Sequence, residues 1–166
     1  MLASVVMCPE AASATPDSNE HFMQLALCAA QAAGAQGEVP IGAVVVQAER
    51  LLGSAYNAPI ALHDPTAHAE ILALRAAALH AANYRLPGAT LYVTVEPCLM
   101  CVGAMIHARL RRVVFGCREP KLGALGSVYD ALADYRGNHR LQVTGGVCAD
   151  AASMLLRDFF RVRRGA

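Results

Sequence analysis

Two short motifs constrain this chain more than any other feature: His68-Ala69-Glu70 and Pro97-Cys98-Leu99-Met100-Cys101. One imidazole, two thiols and one carboxylate in this pattern can hold a zinc ion and move protons beside it. Zinc prefers four nitrogen or sulfur ligands in a tetrahedron, and a catalytic site leaves one position for water. Cys98 and Cys101 are spaced to face one side of a helix start, where positive potential at the helix N-terminus favours the thiolate ligand form. His68, expected in the first turns of its own helix, supplies a third ligand. Glu70 lies two residues further on, placed to exchange protons with a water that zinc acidifies towards about pKa 7. Each fragment alone has a plainer reading. A lone Cys-x-x-Cys can be a structural half-site or a redox pair, and a lone histidine can simply pack. A closed structural site needs a fourth ligand, and none of His63, His80 and His107 repeats the motif spacing.

Bringing both motifs to one place requires a particular succession of elements. Asp17 and Glu20 form a capping-box pattern. Phe22, Leu25, Ala26, Ala29 and Ala33 then recur at helical spacing until Gly34 and Gly37. Residues 41–46 and 51–56 read as strands joined by a turn near Glu49. Asp64-Pro65 predicts a helix start running to about His80. Thr90 to Val95 is a β-branched strand, and Pro97 opens the next helix. Residues 112–115 and 141–144 are further strands, and residues 150–163 a closing helix. Between them, residues 116–138 are irregular, with one short helix near residues 128–133. Both motif helices follow strands, so their N-termini can converge at one edge of a mixed sheet covered by helices on both faces.

At 166 residues the chain is long enough for one self-sufficient core. Residues 1–17 read as a disordered tail and residues 18–166 as a single domain. No apolar run approaches the roughly 18 residues of a membrane span, and the N-terminus lacks the basic residues of a secretory signal. Two of the six cysteines belong to the Cys-x-x-Cys and the rest are scattered, which fits a reducing cytoplasm better than a disulfide framework. The net charge of +1 conceals an asymmetry: three arginines face eight acidic residues up to residue 105, and eleven basic residues face five acidic ones after it. All the basic residues but Lys121 are arginine, which suits phosphate recognition, although solvated surface arginines give the same composition.

His-x-Glu followed by Pro-Cys-x-x-Cys is the signature of zinc-dependent nucleobase deaminases. From about Glu20 to Arg164 the chain resembles the bacterial tRNA-specific adenosine deaminases. Beyond the two motifs, the resemblance rests on residues 38–44, on Asn57 with Pro59-Ile60, and on residues 63–70. It extends to Asn83-Tyr84-Arg85, residues 103–107, residues 113–116, Asn138-His139-Arg140 and residues 158–161. It implies a cytidine-deaminase-like three-layer α/β sandwich with a mixed five-stranded sheet, and a homodimer with sites near the interface. It also implies one zinc ion per subunit and hydrolysis of the wobble adenosine of an anticodon, usually in an arginine tRNA, to inosine. By motif match, His68, Cys98 and Cys101 would bind zinc. Glu70 would carry protons to the ring nitrogen and the departing amine, and Asn57 would hydrogen-bond the flipped base. A turn residue is an equally good reading of Asn57 from residue type alone. The chain departs from the pattern at Arg118-Glu119-Pro120-Lys121-Leu122-Gly123, where relatives have Arg-Asp before a lysine and glycine. Arg118 and Lys121 of this loop remain candidate substrate contacts.

An anticodon loop is already partly unstacked, so extruding its base costs only a few kcal/mol. Arg109, Arg111, Arg112, Arg118, Arg161, Arg163 and Arg164 are candidates to lie along phosphates. Phe160 with Arg161 is expected to contact RNA, while at least one of Phe159 and Phe160 packs in the core. On this reading Arg161→Glu with Arg163→Glu weakens tRNA binding. Two rivals stand. A free-base or nucleoside deaminase of guanine or cytosine type would keep every catalytic residue without needing the basic half. A non-catalytic zinc-binding partner subunit could lose the glutamate, and the presence of Glu70 counts against it.

Overall fold

A computed structural model describes residues 19–133 and 135–165; the expected tail and the capping residue Asp17 lie outside them. The elements are α1 (Asn19–Ala35), β1 (Gly42–Gln47), β2 (Arg50–Tyr56), α2 (Pro59–Leu62), α3 (Ala69–His80), β3 (Thr90–Val95), α4 (Leu99–His107), β4 (Arg112–Cys117), β5 (Gln142–Thr144) and α5 (Ala149–Arg164). The five strands form one sheet in the order β2-β1-β3-β4-β5. β1 pairs antiparallel with β2 and with β3, while β3, β4 and β5 run parallel. Alternation along the strands divides the core. Ala43, Val45, Leu91, Val93, Val113 and Phe115 pack with Ala73 and Ala77 of α3 and with Val102 and Met105 of α4. Val44, Val46, Tyr92 and Val114 pack with Phe22, Met23 and Ala26 of α1 and with Ala152 of α5. The result is the expected three-layer sandwich on a mixed five-stranded sheet.

Small residues bring the helices close to the sheet. A Cβ on Gly42 would lie 2.1 Å from the Ala26 carbonyl oxygen, so only glycine lets β1 pass so near α1. Cys98, Cys101, Cys117 and Cys148 are free thiols.

Two local expectations need correction. The helix expected at Asp64-Pro65 begins only at Ala69. Asp64 Oδ1 instead accepts bonds from the Thr66 amide and hydroxyl, at 2.8 and 2.7 Å, folding residues 64–66 into a turn. A short helix, α2, fills part of the preceding segment. Residues 128–133 form turns and an isolated bridge rather than a helix, because Asp130 Oδ1 ties back the amides of Leu132 and Ala133.

Candidate metal centre and active site

The parallel β3 leads into the segment before α4, and the turn at residues 64–66 leads into α3. The two helix N-termini meet there, with His68 at the N-cap of α3 and Cys98 at the N-cap of α4. Neither side chain caps its own helix. They face each other instead: His68 Nδ1 lies 3.7 Å from Cys98 Sγ and 3.6 Å from Cys101 Sγ, and the two sulfurs are 3.7 Å apart. A tetrahedral zinc ion with bonds of about 2.3 Å to sulfur and about 2.0 Å to nitrogen holds its ligand atoms about 3.5–3.8 Å apart. The donor set therefore fits zinc in both chemistry and spacing. These are the three residues that cluster as metal donors among the described residues, a set of three with no fourth protein ligand.

The electrostatics follow from this crowding. The Cys101 thiol beside it, with His68, lowers the Cys98 thiol to about 4, while the same contact and burial push Cys101 up, so the pair holds one proton. The Cys98 sulfur raises the pKa of His68 against the opposing effect of burial. Glu70, in the first turn of α3, is 4% exposed. Burial raises its pKa, and its carboxyl interacts with His68, Cys98 and Cys101. All four residues expected to carry the chemistry are thus in one cluster.

The expected substrate contacts are distributed differently. Asn57 is buried directly after β2. Its amide donates to the Ile41 carbonyl, and the next amide, of Ala58, donates to Ala67, one residue before His68. That segment adjoins the site. Arg118 and Lys121 lie on the loop after β4. Arg118 is exposed but tethered on that loop: its guanidinium stands 3.7 Å from Glu96, donates to the Leu125 carbonyl and lies over the Phe115 ring. Lys121 is exposed. Phe160 and Arg161 are on α5, across the sheet from α3 and α4, and are not brought to the metal donors. Phe160 is 44% exposed, whereas Phe159 is half-buried with the Arg163 guanidinium stacked on its ring. Arg161 pairs with Asp158 at 3.1 Å.

Glu96, between β3 and Pro97, has an organising part that the sequence reading did not assign. It is 3% exposed. Its carboxylate accepts bonds from the amides of Glu119 (3.3 Å), Leu125 (2.9 Å) and Ser127 (3.1 Å), and from the Ser127 hydroxyl. Burial alone would raise its pKa, but the bonds from Ser127, Leu125 and Glu119 outweigh that and hold it below the usual value. One carboxylate thus fastens the loop bearing Arg118 and Lys121 beside the start of α4. Gly123 makes room for it: a Cβ there would lie 2.7 Å from Glu96 Cδ. The signal available in the sequence was an acidic residue at the end of an apolar strand, directly before a proline.

Comparison with known proteins agrees with this geometry. A family model for the cytidine and deoxycytidylate deaminase zinc-binding region matches residues 16–117. The chain is 48% identical over 156 residues to a tRNA-specific adenosine deaminase of Haemophilus influenzae, covering 93% of this chain and 90% of that protein. It is 44% identical to one of Agrobacterium fabrum, covering 87% and 95%. Among solved structures, one from a study of A-to-I editing by tRNA:A34 deaminases at the wobble position superposes with a TM-score of 0.78. That structure is 42% identical, and the match covers 82% of this chain and 99% of that one. A guanine deaminase from Nitrosomonas europaea superposes with a TM-score of 0.77 at 25% identity, covering 95% of each chain. The region matched by the family model includes both helix starts that carry the donors, and the chain belongs to the cytidine and deoxycytidylate deaminase family of zinc-binding proteins.

Proposed function

We propose that this chain hydrolyses the wobble adenosine of a tRNA anticodon to inosine. The observation that carries the reading is the zinc-spaced His68, Cys98 and Cys101 with the buried Glu70 carboxyl against them. The 48% identity to a tRNA-specific adenosine deaminase supports the choice of substrate. His68, Cys98 and Cys101 would hold the metal, which when bound supplies a Lewis acid that acidifies water. Water adds to the purine carbon bearing the amino group, and that carbon loses ammonia. Glu70 accepts a proton from the attacking water and passes it to the adjacent ring nitrogen, then takes the proton of the added hydroxyl and delivers it to the leaving amine. Its raised pKa keeps it able to hold a proton between these transfers. Asn57 would hydrogen-bond the flipped base, and Arg118 and Lys121 would flank the loop nucleotides, with Phe160 and Arg161 as outer contacts. An arginine tRNA is the expected substrate.

The same reading makes residues 18–166 one catalytic domain that works as a homodimer in the cytoplasm. No helix among the described residues is long and apolar enough to cross a membrane. The test is to incubate the zinc-loaded protein with an anticodon stem-loop and, separately, with free guanine and free nucleosides, following ammonia and inosine. Inosine in the RNA at the wobble position is the expected result. Turnover of guanine without turnover of RNA would move the chain to the free-base reading that its likeness to guanine deaminase allows.

A further inference from the structure

Two segments that carry the resemblance, Asn83-Tyr84-Arg85 and Asn138-His139-Arg140, have no part in the chemistry above. The fold brings them together. A groove of about 490 Å³ lies by the starts of β3 and β4 and the segment before β5, and Arg85, Arg109, Arg111, Asn138, His139 and Arg140 line it. No carboxylate lines this groove, and none of its four arginines forms an ion pair among the described residues. Their contacts are with neutral groups. Arg109 Nη1 donates to Asn138 Oδ1 at 2.7 Å, Arg140 Nη1 to the Tyr135 carbonyl at 3.5 Å, and Arg85 lies over the Tyr84 ring at 5.2 Å. His139 Nε2 is fixed 2.6 Å from the Leu110 carbonyl oxygen.

Like charges gathered without counter-charge repel, so the groove favours an anion. Arginine forks match phosphate oxygens in particular. Arg85, Arg111 and Arg140 are exposed and come from three separate segments. That spread suits successive phosphates along a backbone better than one small anion. The groove is also too far from the metal donors to hold the reacting base. α4 spans nine residues from Leu99 to His107, so its rise alone separates the two ends by about 14 Å.

We propose that Arg85, Arg109, Arg111 and Arg140 form a second, non-catalytic RNA site that grips backbone phosphates of the substrate away from the base being deaminated. This rests on the RNA reading above; of the arginines named from the sequence it keeps Arg109 and Arg111, and it adds Arg85 and Arg140. Arg112 is excluded by its bonds to Thr144 and Asn19, and Arg85 is recruited from the otherwise acidic half.

The experiment uses the zinc-loaded full chain and Arg111→Glu with Arg140→Glu, side chains that make no core contact. Binding of an anticodon stem-loop is followed by fluorescence anisotropy across a salt series, and deamination by single- and multiple-turnover assays. Affinity should fall several-fold, and the slope of log affinity against log salt should flatten by roughly 1.5, since each lost phosphate contact removes about 0.7–0.9. The rate at saturating RNA should not change, and the paired lysine substitutions should keep most of the salt dependence. Unchanged affinity and slope overturn the proposal. So does a shift from dimer to monomer in sedimentation with the slope unchanged, which would assign the groove to a second copy of the chain. Failure of the unmodified protein to deaminate any RNA sinks the underlying reading instead, and shows before a variant is made.

Discussion

At the residue scale, the four side chains of the chemistry were legible because metal binding and proton transfer demand particular residue types at fixed spacing. His68 and the two cysteines have no other apolar or helical logic that would set His-x-Glu and Pro-Cys-x-x-Cys in one chain. Glu70 is the sharpest case, since a glutamate 4% exposed within the first turn of a helix has no packing reason to be there. Glu70→Gln keeps the shape and removes the proton carrier. The variant should retain zinc, measured by metal analysis, while turnover falls by about 10²–10⁴; full activity would overturn the mechanism. The thiols give a second prediction. Stripped of metal by a chelator, the chain should be alkylated by iodoacetamide first at Cys98, whose thiol is lowered to about 4. Cys117 and Cys148 should lag, because burial pushes their thiols up. Added zinc should protect Cys98, with peptide mass mapping as the readout. Equal labelling of all three would mean that the cluster does not create a thiolate.

At the element scale, strands and long helices were legible from periodicity, and the loops were not. β3 matches its expected bounds of Thr90 to Val95 because β-branched residues and the flanking turn mark both ends. Asp64-Pro65 misled because the same residue types that start helices also make turns, and Thr66 offered two donors to Asp64 within reach. The loop after β4 was illegible for another reason: what orders it, Glu96, is distant in sequence. Hydrogen bonds to a buried carboxylate contribute more than neutral ones, and amides left without an acceptor cost about 1–3 kcal/mol each. Glu96→Ala removes the acceptor for three amides and the ion-pair partner of Arg118. It should lower the melting temperature clearly and expose the loop after β4 to limited proteolysis, while Ser127→Ala, which leaves the carboxylate in place, should do much less. Similar melting for both variants would mean that the loop is held by something else. The C-terminal helix calls for a related revision. Arg163 donates to the Gly37 carbonyl and stacks on Phe159, so Arg163→Glu would disturb the docking of α5 as well as any RNA contact. Arg161→Glu alone is the cleaner probe of that surface.

At the scale of the whole molecule, the division into an acidic half with the metal site and a basic half does not survive folding as two separate regions. Arg85 joins arginines from the second half in one groove, and Glu96 holds the loop that carries Arg118 and Lys121. Charge along a chain gives the partner class but not the surface. Assembly is where sequence and structure together say most. The outer face of α4 leaves Leu99 58% and Met100 38% exposed. A groove of about 410 Å³ runs along this helix past Leu99, Gly103, Ile106 and Tyr84. Covering such a face with a second copy would gain about 25 cal/mol for each Å² of apolar surface removed from water, so the proposed homodimer would make its contact here, with Arg85 and Arg109 at the border between this groove and the RNA groove. Gly103 offers a clean test, because a Cβ added there meets nothing within 4 Å and a glycine to glutamate change inside a helix gains about 0.5–1 kcal/mol of helix propensity. Gly103→Glu should leave the monomer as stable as before, judged by circular dichroism. It should also push a long charged side chain into the contact where only a hydrogen fitted, and shift sedimentation from dimer to monomer. A variant that still sediments as a dimer would place the second copy on another face.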